Sequence, residues 1–204
     1  MSTNNKKLSK NFSLNELVYS STAQRFPDIL SDQHNPPENV ISNLSYLCNM
    51  CLQPIRNSLN YPIRITSGYR CEALNAKVGS TNRSQHLHGQ AVDCVLSDRF
   101  LISPRTIDFR EKIEQIVLDK TGRQIRDDVN ANFYLFVYVC LRRQRFDVDQ
   151  VIHEYGQGPG NPAWIHISSS PSPEQKGQIV AFGRNFENNV DRPSLEDALI
   201  YGTT

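Results

Sequence analysis

The chain has 204 residues, 22 Lys+Arg against 21 Asp+Glu for a formal net charge of +1, and 38% hydrophobic residues. That length suits one domain with a real core, and the even charge balance offers no basic face by count, so no nucleic-acid partner is expected. No apolar run approaches about 18 residues, so no membrane span is expected; polar residues 1–10 lack the apolar stretch of a secretory signal, so synthesis in the cytoplasm without a signal peptide is expected.

Residues 1–10 read as a disordered N-terminal tail. Ser13 with Glu16 three positions later is a capping box, opening a short helix to about residue 20. A polar loop then runs to Asn35-Pro36-Pro37. Proline suits a helix start, and a long helix is expected over residues 37–59, with Ile41, Leu44, Leu47, Cys48, Cys51, Ile55 and Leu59 on one face. Cys48 and Cys51 have C-x-x-C spacing, but they lie in that apolar stripe and no second C-x-x-C exists. They read as small core hydrophobes, and all five cysteines as free thiols. A strand is expected at 62–66, a short helix at 71–78, a strand at 92–96, and helices at 105–119 and 131–141. Two strands, 148–154 and 163–168, flank a loop whose Gly156-Gln157-Gly158-Pro159-Gly160-Asn161-Pro162 run is turn chemistry. A last strand is expected at 178–182, and residues 184–204 read as a loosely packed polar tail. The main domain is 11–183. The fold class is α+β: a small antiparallel sheet with helices packed mainly on one side.

The chemistry sits in Ser84-Gln85-His86-Leu87-His88-Gly89-Gln90-Ala91-Val92-Asp93, of the form S-x-H-x-x-G-x-A-x-D, answered downstream by Trp164-Ile165-His166. Two imidazoles and a carboxylate make three zinc ligands and leave the fourth position to water, the composition of a catalytic site. Water held in this way reaches a pKa near 7. Asp93 lies in the apolar run Ala91-Val92-Asp93-Cys94-Val95, where a lone buried carboxylate is costly, so it must be paired or metal-bound. On a strand Trp164, His166 and Ser168 share one face. His86, Asp93 and His166 are the candidate ligands of one Zn²⁺.

Further motifs occur in order: Asn11-Phe12-Ser13-Leu14-Asn15-Glu16-Leu17, Leu52-Gln53-Pro54-Ile55-Arg56, Ile65-Thr66-Ser67-Gly68-Tyr69-Arg70, Leu74-Asn75, Val78-Gly79 and Phe146-Asp147-Val148-Asp149-Gln150-Val151-Ile152-His153-Glu154. Together they resemble the zinc peptidases that cut the peptide stems of bacterial cell walls. These are D-alanyl-D-alanine carboxypeptidases, vancomycin-resistance dipeptidases and the L-alanyl-D-glutamate endopeptidases used as phage endolysins. They share a zinc fold with the signalling domain of hedgehog proteins. The resemblance implies a metallopeptidase acting on peptidoglycan stem peptides at the wall or periplasm; a monomer is expected.

By the same resemblance Arg70 matches the arginine that faces the substrate carbonyl and the developing oxyanion, a role its planar donor fork suits. Ser84, Tyr69 and Trp164 are implied substrate-binding residues, and His88 a rim residue. Relatives often carry an acidic residue three positions before the last zinc histidine; here that position is Ala163. Glu154 is the substitute base, because it ends the strand expected to pair with the Trp164 strand, while His153 points to the opposite face. The Ala163 departure also supports a second reading, a non-catalytic zinc-binding module of a wall-binding or phage structural protein.

Overall fold

The computed structural model describes residues 6–172, 176–184, 186 and 189–204. Helix α1 spans Leu14–Val18, and the Ser13 side chain accepts from the Glu16 N–H at 3.4 Å, the N-cap read from sequence. The next segment is not the loop that its polarity suggested. It contains α2, Pro27–His34, with proline in its first turn and only Ile29 and Gln33 buried. Gln33 is a polar residue used as core: its amide donates to the Val18 and Tyr69 carbonyls and accepts from the Cys71 N–H.

The long helix is present as a continuous run with a change of pitch. α3, Glu38–Leu47, passes through a π-helical turn at Cys48–Leu52 into α4, Gln53–Leu59. Pro54 explains the turn. Proline has no N–H to give the Met50 carbonyl, and its ring would strike that carbonyl in regular α geometry. The wider turn, closed by Gln53 N–H to the Cys48 carbonyl, relieves both problems. Cys48 and Cys51 are buried core residues, and all five cysteines are free and buried. Burial pushes the Cys48 thiol up to about 12, which keeps it inert.

The strands are β1 (Arg64–Ser67), β2 (Ala91–Val95), β3 (Gln150–Glu154), β4 (Trp164–Ser168), β5 (Gln178–Phe182) and β6 (Val190–Asp191). They form one sheet in the order β1-β2-β4-β3-β5-β6, antiparallel except for the β3–β5 pair, which is parallel. The remaining helices are α5 (Glu72–Lys77), α6 (Arg99–Ile102), α7 (Ile107–Thr121), α8 (Ala131–Arg142) and α9 (Leu195–Ile200). The first ten residues of α8 are all buried, as befits a helix apolar all round. It lies against one sheet face, where Phe136 meets His153 edge-on at 5.5 Å. Strand alternation therefore sends His153, Ile165, Ile167, Val92 and Cys94 toward the helices. Glu154, Ile152, Trp164, His166 and Asp93 go to the opposite face. This is the expected α+β architecture.

Both termini depart from expectation. Lys7 bridges Ser13 and Leu8 is buried, so the chain joins the fold well before residue 10; residues 1–5 lie outside the described residues. The C-terminal segment is docked rather than loose. β6 pairs with β5, Ser194 caps α9, Ala198 and Leu199 are fully buried, and Tyr201 stacks on Phe136 at 6.3 Å. Six helical residues with two buried positions are too short a pattern to stand out in a polar stretch. Among the described residues no helix is long and apolar enough to cross a membrane.

Candidate metal centre

Asp93 and His166 are direct partners in the β2–β4 ladder, so main-chain pairing alone sets them side by side. His86 arrives from a 3₁₀ turn, Gln85–His88, that ends at Gly89 in the left-handed conformation (φ 66°). A side chain at Gly89 would put its Cβ 2.8 Å from the Val40 carbonyl, so only glycine lets this turn lie flat on α3. The Arg70 N–H donates to the His86 carbonyl and fixes the turn against the segment after β1.

The imidazole of His86 is oriented by its outer nitrogen. Nδ1 lies 2.7 Å from the Gly68 carbonyl, which can only accept, so Nδ1 carries the proton and Nε2 presents a lone pair. That Nε2 is 3.3 Å from Asp93 Oδ1 and 3.3 Å from His166 Nδ1, and the last two atoms are 3.1 Å apart. Three donor atoms thus form a nearly equilateral triangle, inside residues that are each at most 7% exposed. Three atoms able to ligate a metal, packed this closely on buried residues, suit a bound cation. Zinc bonds of about 2.0–2.1 Å at tetrahedral angles put neighbouring donors about 3.3–3.4 Å apart, and the triangle fits that ion. Burial pushes the Asp93 carboxyl up, but the His86 and His166 imidazoles outweigh it and hold the group well below the usual carboxylate range. The carboxylate stays ionised, as a ligand must.

Arg70 grips the outer oxygen of the same carboxylate. Its Nη2 donates to Asp93 Oδ2 at 2.6 Å and its Nε to Ser67 Oγ at 2.9 Å, leaving Oδ1 for the triangle. Ser67 is itself the β1 partner of Asp93. Glu154 pairs with Trp164 across the β3–β4 hairpin, and the indole N–H donates to Glu154 Oε2 at 3.0 Å. Burial raises the Glu154 carboxyl above its ordinary range; His166, the Trp164 hydrogen bond and Arg70 pull it down, while Asp93 pushes it up. The carboxylate therefore belongs to the same electrostatic neighbourhood as the triangle. His153 lies on the other face as expected, its Nε2 donating to the Pro159 carbonyl, with burial pushing it down to about 4. His88 is exposed.

Tyr69 and Ser84, two of the expected substrate-binding residues, have structural roles. Tyr69 is only 7% exposed and belongs to the core, so little of its ring is left for a ligand. Its position after Gly68 placed it in a site motif, but motif membership says nothing about which way a ring packs. Ser84 precedes the 3₁₀ turn with its carbonyl accepting from the Leu87 N–H and no side-chain cap, which is a turn role. Trp164 is at the site, bound to Glu154. The supporting contacts from Ser67 and the Gly68 carbonyl were within the quoted motifs, yet no spacing rule marks them. An apolar groove of about 540 Å³ between α4, α7 and α8 lies on the helix-covered side and contains none of these residues.

The sequence profile of the Peptidase M15 family matches residues 10–124, more than half of the chain. The chain belongs to the Peptidase M15 family. This is the zinc D-Ala-D-Ala carboxypeptidase family that the motifs resembled. No curated protein matches the chain. The M15 match covers Arg70, His86 and Asp93. Glu154, Trp164 and His166 lie beyond it and reach the M15 segment through the β2–β4–β3 register. M15 peptidases are zinc-dependent, and the buried His-Asp-His triangle is the candidate place for the ion.

Proposed function

We propose that the protein is a zinc peptidase that hydrolyses the peptide stems of bacterial peptidoglycan, as a carboxypeptidase or an endopeptidase. The observation that carries the reading is the convergence of His86 Nε2, Asp93 Oδ1 and His166 Nδ1 at 3.1–3.3 Å on the sheet face that also bears Glu154. A zinc ion held by these three atoms supplies Lewis acidity and brings a water toward a pKa of about 7. Glu154 takes the proton from the attacking water and passes it to the amine as the C–N bond breaks. Arg70 keeps Asp93 oriented, and the same guanidinium stabilises the oxyanion that forms at the substrate carbonyl. Glu154 replaces the acidic residue that relatives carry at the position of Ala163.

The second reading, a zinc-binding module without hydrolysis, draws on Ala163 alone. The two part in one assay: purified peptidoglycan is incubated with zinc-loaded protein and new amino groups are counted. Release that stops on chelation and in Glu154→Gln supports the peptidase. Wall binding with no release by the zinc-loaded protein supports the module.

A further inference from the structure

The residue directly after Glu154 is strained, aromatic and exposed. Tyr155 takes φ 51°, a left-handed conformation that L side chains rarely adopt. Its side chain is not what holds the backbone there. The Tyr155 N–H donates to the Phe182 carbonyl at 2.7 Å, Gly156 follows at φ 96°, and a Cβ on Gly156 would fall 1.8 Å from the Asn161 carbonyl oxygen. The loop dictates the conformation, and glycine would meet it without strain. Strain kept in this way points to a use for the side chain.

The ring stands exposed against Trp164. Tyr155 is 55% exposed, and its ring centroid lies 5.2 Å from that of Trp164. Trp164 shares its sheet face with His166 and gives its indole N–H to Glu154. The Tyr155 ring is therefore beside Glu154 on the metal face, backed by a second aromatic ring.

We propose that Tyr155 is a substrate-contacting residue, its ring forming one wall of a subsite for an aliphatic side chain of the peptide. This rests on the peptidase reading in one respect. Glu154 hands its proton to the leaving amine, so the residue that owns this amine passes Glu154, and its side chain meets the neighbouring ring. An uncharged aromatic wall selects apolar surface there.

The test compares Tyr155→Phe, Tyr155→Asn and Tyr155→Gly in zinc-loaded protein, with calorimetric Kd for intact stem peptides and for peptides whose alanines are replaced by glycine. Tyr155→Phe should bind within about twofold of the parent, while Tyr155→Gly and Tyr155→Asn weaken stem-peptide binding by about tenfold and lose the preference for alanine over glycine. Where turnover is measured, the loss appears in KM with little change in kcat. Tyr155→Gly should also melt at a higher temperature, because the strain is gone. Stem-peptide affinity unchanged in Tyr155→Gly, a lower melting temperature of that variant, or no stem-peptide affinity in the parent overturns the proposal. A parent that binds but never cleaves overturns the peptidase reading alone, since the Kd comparison still decides the role of Tyr155.

Discussion

Asp93 and His166 face each other across β2 and β4, with Oδ1 and Nδ1 3.1 Å apart. They are 73 residues apart in the chain, and a backbone ladder brings them together. Strand register is thus part of the site's chemistry. A slip of one residue would turn His166 into the helix-covered face and put Ile165 or Ile167 beside the carboxylate. Only His86 depends on a loop, and that loop is held by Gly89 and by hydrogen bonds from Arg70, from Asn43 and to Gly68.

Gly89→Ala tests that dependence. The new Cβ meets the Val40 carbonyl at 2.8 Å and Val40 Cγ1 at 2.9 Å, at φ 66°. A loss of about 2–4 kcal/mol is expected from left-handed strain plus forced movement, together with weaker zinc binding as His86 shifts. Gly122→Ala is the control: φ is 70° but nothing lies within 4 Å, so only about 1–2 kcal/mol is expected and zinc binding is unchanged. Equal unfolding midpoints for the two variants would contradict the packing argument.

Arg70→Ala separates two roles of one side chain. Loss of the Asp93 contact should weaken zinc affinity by about 10–100-fold, the usual effect of removing a partner that orients a ligand. If Arg70 also faces the oxyanion, kcat stays down by on the order of 10²-fold even at saturating zinc. Arg70→Lys should recover only part, because an ammonium cannot donate to Ser67 and Asp93 as a planar fork does. Full activity of Arg70→Ala at high zinc would confine the residue to positioning.

Glu154→Gln has a consequence for stability as well as for turnover. In metal-free protein the folded-state Glu154 carboxyl lies above its ordinary 4.5, chiefly through burial. Folding then favours the protonated form. Its contribution is fully present below the unfolded value and is lost as pH rises through the folded value. At pH 7 the ionised side chain is therefore a liability that glutamine removes. Metal-free Glu154→Gln should melt above the parent at pH 7, with the gap closing as pH falls through the folded-state value and closed below about 4. A gap that widens in acid would reverse the assigned direction.

The residues that were legible share one property: their signal is local. Ser13 announced α1, the apolar stripe from Ile41 to Leu59 announced the long helix, and S-x-H-x-x-G-x-A-x-D carried two of the three candidate ligands. The hairpin was implied by two strand patterns, but its register, which pairs Glu154 with Trp164, was not. What escaped was non-local. Gln33 looks like a loop residue until three distant backbone groups converge on it. α9 is stabilised by Phe136 and neighbours far upstream rather than by its own periodicity. Tyr69 was placed at the site by sequence adjacency, while its ring packs into the core. The strain at Tyr155 is imposed by Gly156 and the loop around it, which no propensity of tyrosine foretells.

Zinc stoichiometry tests the central claim most directly. Protein prepared with zinc and freed of excess should contain one equivalent per chain. His86→Ala, Asp93→Ala and His166→Ala should each fall far below one equivalent, while His153→Ala and His88→Ala, which alter histidines outside the triangle, should keep it. Full zinc in both His86→Ala and His166→Ala, or loss of zinc in His88→Ala, would contradict the assignment.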